Sequence, residues 1–455
     1  MSKSRTKSLV SCIKSGFAAT EAFCKDRRGT VAIIYAGALI PMVAVVGVAV
    51  DYSRASSVRV QLQAAVDAAA MAGAVSKDKS TSGRTAAAEG SFDANTANLK
   101  HGAAVTRQAS PGAGTMSVTA TATVPTVFMK LMNTSEIDVS TSSTVSFGGK
   151  KLELALVLDT TGSMNYNNKL AELKSAVPTI LDIVMPAGTI HSRVALVPFA
   201  TYVNVGSTNT AGLTGRVYPY ANKRCVLERK HGARPNESAP DHGVDEFWIL
   251  TNNNDCASTK PITPLTSDRS TLDAAMEGLT ASGATSGHLG IQWGWHAISP
   301  EWASRWPAGS APVSYTADDT IKAIVMLTDG NFTEFHRNQN KSAAYCNGRD
   351  DCAKSRAEAQ SYCDAIKSRV DDRGEESVMI FTIGFGLEPE STYDGLKARE
   401  VMKYCASFDK TDPEEDLSLK KKHFYFPVTE ADLEAAFSSI GNALTEAVNK
   451  PRFTN

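Results

Sequence analysis

The longest apolar stretch of the sequence lies close to its N-terminus. It runs from Val31 to Val50 without a charged residue, which is about the 20 residues that a helix needs to cross a bilayer. Pro41 lies inside this run, and membrane helices tolerate a proline. We therefore predict one membrane-spanning helix. A cleaved signal peptide is the alternative, but the run is long for one and lacks a small-residue cleavage site.

The charges that precede this run predict its orientation. Residues 1–28 hold seven lysines and arginines against two acidic residues, Glu21 and Asp26. Because lysine and arginine accumulate on the cytoplasmic flank of a membrane helix, the N-terminus is predicted to be cytoplasmic. Everything after residue 51 is then expected to lie outside the cytoplasm.

Beyond the membrane segment the pattern changes twice. Residues 51–74 lack proline and are rich in alanine, which predicts that the helix continues, and residues 75–101 are predicted to be a helix tail and linker. Met116–Val124 and Ile137–Phe147 alternate between apolar and polar residues, the pattern of half-buried strands. The apolar residues 127–132 between them predict a turn that covers this sheet. The whole part is predicted to be a small β-rich stalk.

From Lys151 onward strands and helices alternate, which predicts an α/β domain with a parallel sheet wrapped by helices. Pro178 is expected to kink the first helix, and Pro198 to put its strand at an edge or in an irregular position. The predicted elements, in chain order, are a strand at 152–158, a helix at 169–184, strands at 194–200, 321–327, 378–385 and 423–426, and a closing helix with the buried stripe Leu433, Phe437, Ile440 and Leu444.

The chain of 455 residues is too long for one ordinary core, so two or three folded units are expected. The predicted division is a basic tail at 1–28, a transmembrane helix with its extension at 29–75, a linker and stalk at 76–150, and an α/β domain at 151–449 with insertions near 204–268 and 331–352. The insertions are candidates for partner recognition, or variable surface loops.

Charge and cysteine content narrow the partners and the compartment. The net charge is −1 and no basic stripe interleaved with aromatic residues is present, so no nucleic-acid partner is indicated. Of the eight cysteines, two precede the apolar run and six follow it, which favours disulfides in an oxidising compartment. Free buried thiols are the alternative. Among fifteen possible pairings of the six, we predict Cys346–Cys352, Cys225–Cys256 and Cys363–Cys405.

The candidate chemistry lies where the first strand of the α/β domain ends. Leu152–Leu158 is followed by Asp159, and then by the hydroxyl residues Thr161 and Ser163. Open α/β sheets bind ligands at the carboxyl ends of their strands. Ligands that offer only oxygen suit a hard cation, and Mg²⁺ suits them better than zinc. A loop of helix-capping residues is the alternative explanation.

This stretch resembles the metal-ion-dependent adhesion site of von Willebrand factor A domains, which begins Asp-x-Ser-x-Ser; Thr161 replaces the first serine and keeps the hydroxyl. Gly283–Gly287 supplies Thr285, the threonine that the family has on a second loop, and the strand before Asp329 leads to the third loop. The resemblance implies a doubly wound sheet. It also implies Mg²⁺, with Mn²⁺ or Ca²⁺ as alternatives, that binds an acidic side chain of a partner protein without catalysis.

The N-terminal part resembles Tad pilus-assembly proteins of the TadE/TadG group, on residues 28–35, 48–51 and 61–70. Prepilins that are cut after glycine have glutamate where this chain has Ile34, so a permanent anchor is favoured over processing after Gly29. The predicted function is that of a single-pass bacterial inner-membrane protein whose periplasmic or surface-exposed domain binds a pilus or secretion component. The alternative is a structural minor pilin or scaffold with a vestigial metal site.

Enzymatic interpretations find little support in the motifs. Ser163 lacks the G-x-S-x-G elbow of a hydrolase, and His288 has no spacing that indicates a catalytic base. A zinc site from His336, Cys346 and Cys352 has no recognised spacing. Gly384–Gly386 lacks the third glycine of a dinucleotide loop, and no P-loop is present. The pair Trp293 and Trp295 is expected to pack within a helix. We therefore predict that the chain is not an enzyme.

Overall fold

The chain folds into two compact units, residues 1–147 with 451–455 and residues 148–450. The predicted cytoplasmic tail and much of the insertion at 204–268 lie outside the described residues. The computed structural model describes residues 30–78, 80–112, 114–147, 149–186, 192–206, 224–229, 235–240, 246–249, 259–317, 319–338, 341–343, 349–372, 374–387, 393–409, 412–414 and 420–454.

The first unit begins with one long helix, α1 (Thr30–Val75), which has two different halves. Before Asp51 its large apolar side chains are exposed on all sides, whereas after Asp51 one stripe that includes Val58 and Leu62 is buried. A helix that is apolar all round needs an apolar environment. Within the described residues, α1 is the one helix long and apolar enough to cross a membrane, consistent with an anchor or a signal segment.

The buried stripe of α1 packs on a four-stranded antiparallel sheet. Its central hairpin is in register over its full length, from Thr115 opposite Ser146 to Pro125 opposite Glu136. The predicted alternation is confirmed, since every second residue of the second strand, from Met116 to Val124, is buried. In spatial order the strands are β1 (Ala104–Pro111), β2 (Thr115–Pro125), β3 (Glu136–Ser146) and the C-terminal β15 (Arg452–Phe453).

A second helix in this unit corrects the prediction for residues 75–101. They were expected to be a helix tail and linker, but helix α2 (Thr81–Thr96) lies there, and the Ser80 side chain accepts a hydrogen bond from the Gly83 N–H at its start. The α2 sequence has few apolar residues. Its buried Arg84 instead donates to the carbonyls of Gly73 and Ala74 at the end of α1, at 3.0 and 2.6 Å. Strand β1 was also not predicted.

The prediction that residues 127–132 cover the sheet is wrong. They form a tip between β2 and β3 that contains the 3₁₀ turn Met129–Met132, and no side chain of this turn is buried. The reason is Asp51, whose carboxylate accepts hydrogen bonds from the backbone N–H groups of Val127, Phe128 and Met129. These bonds hold the tip against α1 instead of over the sheet.

The second unit is organised around a mixed, mostly parallel sheet. If its core strands are numbered along the chain, their spatial order is 3-2-1-4-5-6, as in doubly wound folds, with an antiparallel third strand. The five predicted strands are confirmed as β4 (Lys151–Asp159), β5 (Ser192–Phe199), β10 (Thr320–Thr328), β13 (Val378–Gly384) and β14 (Phe424–Tyr425). The antiparallel strand β9 (Thr263–Thr266) was not predicted, since it lies in the region expected to be an insertion.

Helices cover both faces of this sheet. Along β4, Leu154 and Leu156 face one cluster of buried side chains, and Ala155 and Val157 face the other. Helices α3 (Lys169–Val184), α4 (Arg269–Glu277) and α8 (Glu430–Asn449) contribute to the first cluster, and α5 (Gly287–Ile298), α6 (Arg349–Lys367) and α7 (Tyr393–Cys405) to the second. The sheet is therefore buried on both sides, as a parallel sheet requires.

The structure places Pro178 inside a helix and Pro198 inside an internal strand of the sheet. Pro178 lies inside α3, which has the predicted bounds. Pro198 is not in an edge strand, since it is opposite Leu158 of the central strand β4. On the other side of β5 the partner changes next to this proline, from β9 to a short strand that pairs with Phe199. Of the two positions predicted for Pro198, an edge strand or an irregular place in the sheet, the second is correct.

The predicted insertions add short strands to this unit, and disulfides crosslink parts of it. Cys363 of α6 and Cys405 of α7 form a disulfide with Cα atoms 5.2 Å apart, as predicted. Cys225 and Cys352 are also disulfide-bonded, while Cys256 and Cys346 lie outside the described residues. The added strands are β6 (Val203–Asn204), β7 (Cys225–Arg229) and β8 (Phe247–Ile249), which extend the sheet, and the hairpin β11 (Phe335–Asn338) and β12 (Lys341–Ala343).

Candidate functional site

The two aspartates predicted to hold a metal lie at the ends of adjacent strands. Asp159 is the last residue of β4, and Asp329 directly follows β10. The two strands are parallel, and Leu158 lies opposite Leu327. The chain continues from β4 to β5 on one side, while β10 lies on the other. This is the switch point at which doubly wound sheets bind ligands.

A hydrogen-bonded chain of oxygens joins the first loop to the third. The Thr161 hydroxyl lies 2.9 Å from the Ser163 hydroxyl. Ser163 in turn donates to Oδ1 of Asp329 at 2.6 Å. The structure therefore brings together these three predicted residues, although they are separated by 166 positions at the Ser163–Asp329 contact.

The carboxylate of Asp159 is fully buried beside these groups. Its Oδ1 accepts the Thr161 N–H at 2.8 Å, and its Oδ2 accepts the Thr328 hydroxyl at 2.6 Å. Burial, together with the negative charge of nearby Asp329, raises the pKa of Asp159 to about 7 although these hydrogen bonds oppose the rise. Two acidic groups thus lie close together, and both carboxylates are shielded from solvent.

Lys169 supplies positive charge to this site and was not predicted. Its Nζ lies 2.9 Å from Oδ2 of Asp329, whose side chain is fully buried, and Lys169 itself is 16% exposed. Asn167 and Asn168 both have positive φ, which turns the chain directly before Lys169 at the start of α3. A cation in the first helical turn opposes the helix dipole. An unfavourable position of this kind is compatible with a nearby carboxylate but does not identify one, so the sequence did not single out Lys169.

Thr285 belongs to the second loop, which lies next to the other two. A Cβ placed on Gly330 would lie 3.7 Å from the Ser163 hydroxyl and 4.0 Å from the Thr285 hydroxyl, so both hydroxyls face the same glycine. The Thr285 carbonyl also accepts N–H groups from Thr333 and Glu334 of the third loop. All five predicted residues therefore lie on three neighbouring loops.

Backbone contacts of glycine fix the second loop against the first. The Gly162 N–H donates to the Gly283 carbonyl at 2.9 Å. Gly283 has a φ of +84°, and a Cβ there would lie 2.6 Å from the Thr201 hydroxyl. That hydroxyl accepts the Ala284 N–H at 2.7 Å. A side chain at position 283 would therefore be excluded by both backbone conformation and space.

The donor set fits a hard divalent cation. Two carboxylates and three hydroxyls offer only oxygen, which Mg²⁺ prefers. Among the described residues, the ammonium of Lys169 is the one that contacts these buried carboxylates, and it contacts Asp329 and not Asp159. No group of three or more His, Cys, Asp or Glu side chains that could hold a metal occurs in the described part of the chain. Any cation here would therefore depend on the hydroxyls and on two aspartates.

The residues considered for enzymatic chemistry have structural contacts instead. Fully buried His288 lies 2.9 Å from Oε1 of Glu228 and 2.8 Å from the Ser355 hydroxyl. Trp293 and Trp295 are fully buried, as their predicted packing role requires. Cys352 is disulfide-bonded, so it is not a free thiolate for zinc.

Glu228 is a buried charge that the sequence did not single out. Burial disfavours its charged form, but the hydrogen bonds and charges of His288 and His336 outweigh that effect and hold the pKa of Glu228 well below its ordinary value. Its Oε1 also accepts the His336 N–H at 2.7 Å. Because Glu228 is on β7 and His336 on β11, these contacts attach one insertion to the other.

Comparison with known families bears on helix α1. Residues 29–76 match the model of the family described as putative Flp pilus-assembly TadE/G-like. This segment is TadE/G-like. The match includes all of α1 and confirms the recognition made from residues 28–35, 48–51 and 61–70. The strand order and the three loops of the second unit likewise agree with the von Willebrand A-like fold that the sequence predicted.

Several solved structures resemble this chain at low identity. The pilus adhesin SpaC of Lactobacillus rhamnosus GG is 13% identical with a TM-score of 0.36, over 76% of this chain and 34% of that one. A von Willebrand factor type A structure from Catenulispora acidiphila is 14% identical with a TM-score of 0.30, and the match covers 74% of this chain and 49% of that one. The PilB minor pilin of Streptococcus sanguinis is 12% identical with a TM-score of 0.36, and the match covers 77% of this chain and 80% of that one. The chain thus spans about a third of the adhesin. No curated protein matches the sequence.

Proposed function

We propose that this chain is a membrane-anchored Tad pilus-assembly protein whose von Willebrand A-like unit binds a protein partner through a divalent cation. Helix α1 is the anchor in the bacterial inner membrane, with the N-terminus in the cytoplasm and the chain after residue 51 outside it. The cation is Mg²⁺, with Mn²⁺ or Ca²⁺ as alternatives. The chain performs no catalysis in this proposal.

The single observation behind the metal proposal is the charge balance at the switch point. The buried carboxylates of Asp159 and Asp329 lie at adjacent strand ends, and within the described ranges one ammonium, that of Lys169, contacts Asp329 while none contacts Asp159. Buried charges are costly unless they are paired. A divalent cation would supply the missing positive charge, and the hydroxyls of Thr161, Ser163 and Thr285 offer it further oxygens.

Such a cation would keep part of its coordination sphere open. The two carboxylate groups and three hydroxyls are five donor groups, and octahedral Mg²⁺ usually keeps water positions that another ligand can take. An acidic side chain of a partner protein is the chemistry that fits this position. Binding would then depend on the metal and be reversible.

A structural minor pilin or scaffold is the second candidate, and Lys169 is the observation that favours it. Its ammonium lies 2.9 Å from Asp329 and already supplies the charge that a cation would supply. If Lys169 holds the loops together permanently, the site needs no metal and the unit acts through its surface alone. The two candidates therefore differ in one measurable property, which is metal binding.

The test is Mn²⁺ binding to the full-length protein in detergent, followed by electron paramagnetic resonance, for the wild type, Asp329→Asn and Asp319→Asn. Asp319 precedes the same strand at its opposite end, is 55% exposed and pairs with Lys151, so it is a matched control. The proposal expects binding in the wild type and in Asp319→Asn, and its loss in Asp329→Asn.

A second readout connects the metal to assembly. Cells that lack the protein are complemented with each variant, and their pili are counted by electron microscopy. Loss of pili in Asp329→Asn alone supports a metal-dependent function. Normal piliation in a variant that no longer binds metal would show that assembly does not use the cation. No Mn²⁺ binding to the wild type would leave the scaffold as the better candidate.

A further inference from the structure

The tip between β2 and β3, residues 127–132, exposes apolar side chains to an unusual degree. Leu131 is 87% exposed, Met132 58% and Val127 55%. Single exposed apolar residues are ordinary, but a contiguous group of them indicates a contact with another apolar surface. Nothing in the sheet or in the proposed metal site accounts for this group.

The tip is fastened to α1 at the end of its exposed apolar half. Oxygens of Asp51 accept the N–H groups of Val127, Phe128 and Met129 at 3.0, 2.8 and 2.8 Å. Phe128 also lies directly on Gly47, where an added Cβ would be 2.5 Å from the Phe128 Cβ. Gly47 is one helical turn before Asp51 and lies inside the apolar run. The tip therefore lies at the level of the last turn of that run.

Helix α1 indicates what surrounds the tip. Near Gly47, Val43, Val46 and Val50 are exposed on one face of the helix, and Val45 is exposed on another face. A protein partner on one side would leave the other sides of this segment in water, whereas lipid covers all of them at once. Because the tip lies beside this last turn, the same environment surrounds the exposed side chains of residues 127–132.

The backbone of the tip is already suited to a medium without water. Besides the three N–H groups bound by Asp51, those of Thr126, Leu131, Asn133 and Thr134 donate to carbonyls within residues 126–135. Segments in contact with hydrocarbon need such internal pairing, because lipid offers no hydrogen-bond partners. Arg54 lies 3.6 Å from Oδ1 of Asp51 and offsets its charge.

We propose that residues 127–132 are a second membrane contact, a tip that enters the outer leaflet beside the end of the α1 span. Leu131 and Met132 insert among acyl chains, and the exposed Lys130 reaches the phosphates of lipid headgroups while its stem stays in the apolar layer. This inference rests on the proposed membrane anchor. It adds that the β-sheet of the first unit is fixed at the membrane surface.

The test measures the depth of single positions in the full-length protein in lipid nanodiscs. A genetically encoded, environment-sensitive fluorescent amino acid replaces Leu131, Val45 or Ser110, one at a time. Val45 lies in the apolar half of α1. Ser110 is exposed and lies opposite Ser117, at the end of the sheet away from the tip. Quenching by a nitroxide on the lipid acyl chain is compared with quenching by aqueous iodide.

The inference expects the probe at 131 to behave like that at 45, with a blue-shifted emission, loss of fluorescence to the acyl-chain nitroxide and little loss to iodide. The probe at 110 should show the reverse. If the probe at 131 responds like that at 110 while that at 45 lies in lipid, the anchor stands and the tip inference is overturned. Protection of the probe at 131 from both quenchers would also overturn it, in favour of a protein contact. If the probe at 45 is itself aqueous, the membrane anchor fails.

Discussion

Replacing Lys169 by methionine tests the charge balance of the candidate site most directly. The ammonium of Lys169 lies 2.9 Å from a carboxylate oxygen of Asp329, which is fully buried, and the lysine is only 16% exposed. Methionine keeps most of the apolar length of the lysine stem and removes the charge. The change leaves the carboxylates of Asp159 and Asp329 close together without the ammonium.

The expected magnitude follows from this geometry. At 2.9 Å the gross attraction of two unit charges is about 6 kcal/mol at an effective dielectric constant of about 20. Breaking a buried ion pair by removing one partner costs about 3–5 kcal/mol. Because Lys169 retains some contact with solvent, we expect about 3 kcal/mol. In a unit of this size that corresponds to a decrease in Tm of about 5 °C.

Tryptophan fluorescence makes the assay specific. All five tryptophans, at 248, 293, 295, 302 and 306, lie in the α/β unit, so thermal unfolding of the full-length protein followed at this signal reports on that unit. The control is Lys174→Met on the same helix, since Lys174 donates to the Glu277 carbonyl and to no carboxylate. Its loss is expected to change the free energy of unfolding by at most about 0.5 kcal/mol.

Adding Mg²⁺ then separates the two proposed functions. If a cation binds at Asp329, it competes with Lys169 for the same carboxylate, so Lys169→Met should gain more stability from Mg²⁺ than the wild type does. A ligand at 100 times its Kd stabilises by about 2.7 kcal/mol. Equal stability of Lys169→Met and Lys174→Met in chelator would refute the reasoning about the ion pair. Absence of any Mg²⁺ effect in both Lys169→Met and the wild type would refute the cation site.

Three further changes probe the framework around the site. Glu228→Gln should destabilise the unit by about 3 kcal/mol at neutral pH. Because the pKa of Glu228 is lowered in the folded protein, its contribution to stability is present above the unfolded pKa of about 4.3 and is lost as the pH falls through the folded pKa. The free energy of unfolding, measured with denaturant, should therefore depend less on pH in the variant than in the wild type. Replacing Cys363 and Cys405 by serine opens a loop with a sequence separation of 42 residues and should cost about 4 kcal/mol, measurable by the same unfolding. Phe437→Ala removes a fully buried ring of α8 and should cost about 3–5 kcal/mol, whereas a loss below 1 kcal/mol would show that α8 is not part of the core.

The elements that were predicted well are those whose sequence pattern is decided by burial in the core. The strand at 152–158 and the helix at 169–184 agree with β4 and α3 because a continuous apolar run and a 3.6-residue period have few other solutions. Helix α2 was missed because its stability depends on tertiary contacts more than on a regular spacing of apolar residues. Its buried Arg84 binds carbonyls at the end of α1, and that contact cannot be read from the local sequence.

The same distinction explains the tip at 127–132. Its apolar residues predicted burial against the sheet, because hydrophobic side chains usually face a core. The structure instead assigns the position of the tip to one carboxylate 76–78 residues away, that of Asp51. A sequence pattern can indicate that these residues avoid water, but it cannot distinguish a protein core from a lipid layer.

At the candidate site, the oxygens could be predicted from sequence and the ammonium could not. Asp159 and Asp329 each follow an apolar strand, so parallel pairing alone brings them together. Lys169 reaches Asp329 only because two consecutive asparagines with positive φ turn the chain before α3. Its side chain decides how much positive charge the site already has. A von Willebrand A-like unit with these oxygens and this lysine therefore either exchanges the lysine contact for a cation, or keeps it and needs none. The Mg²⁺ dependence of Lys169→Met distinguishes these two states.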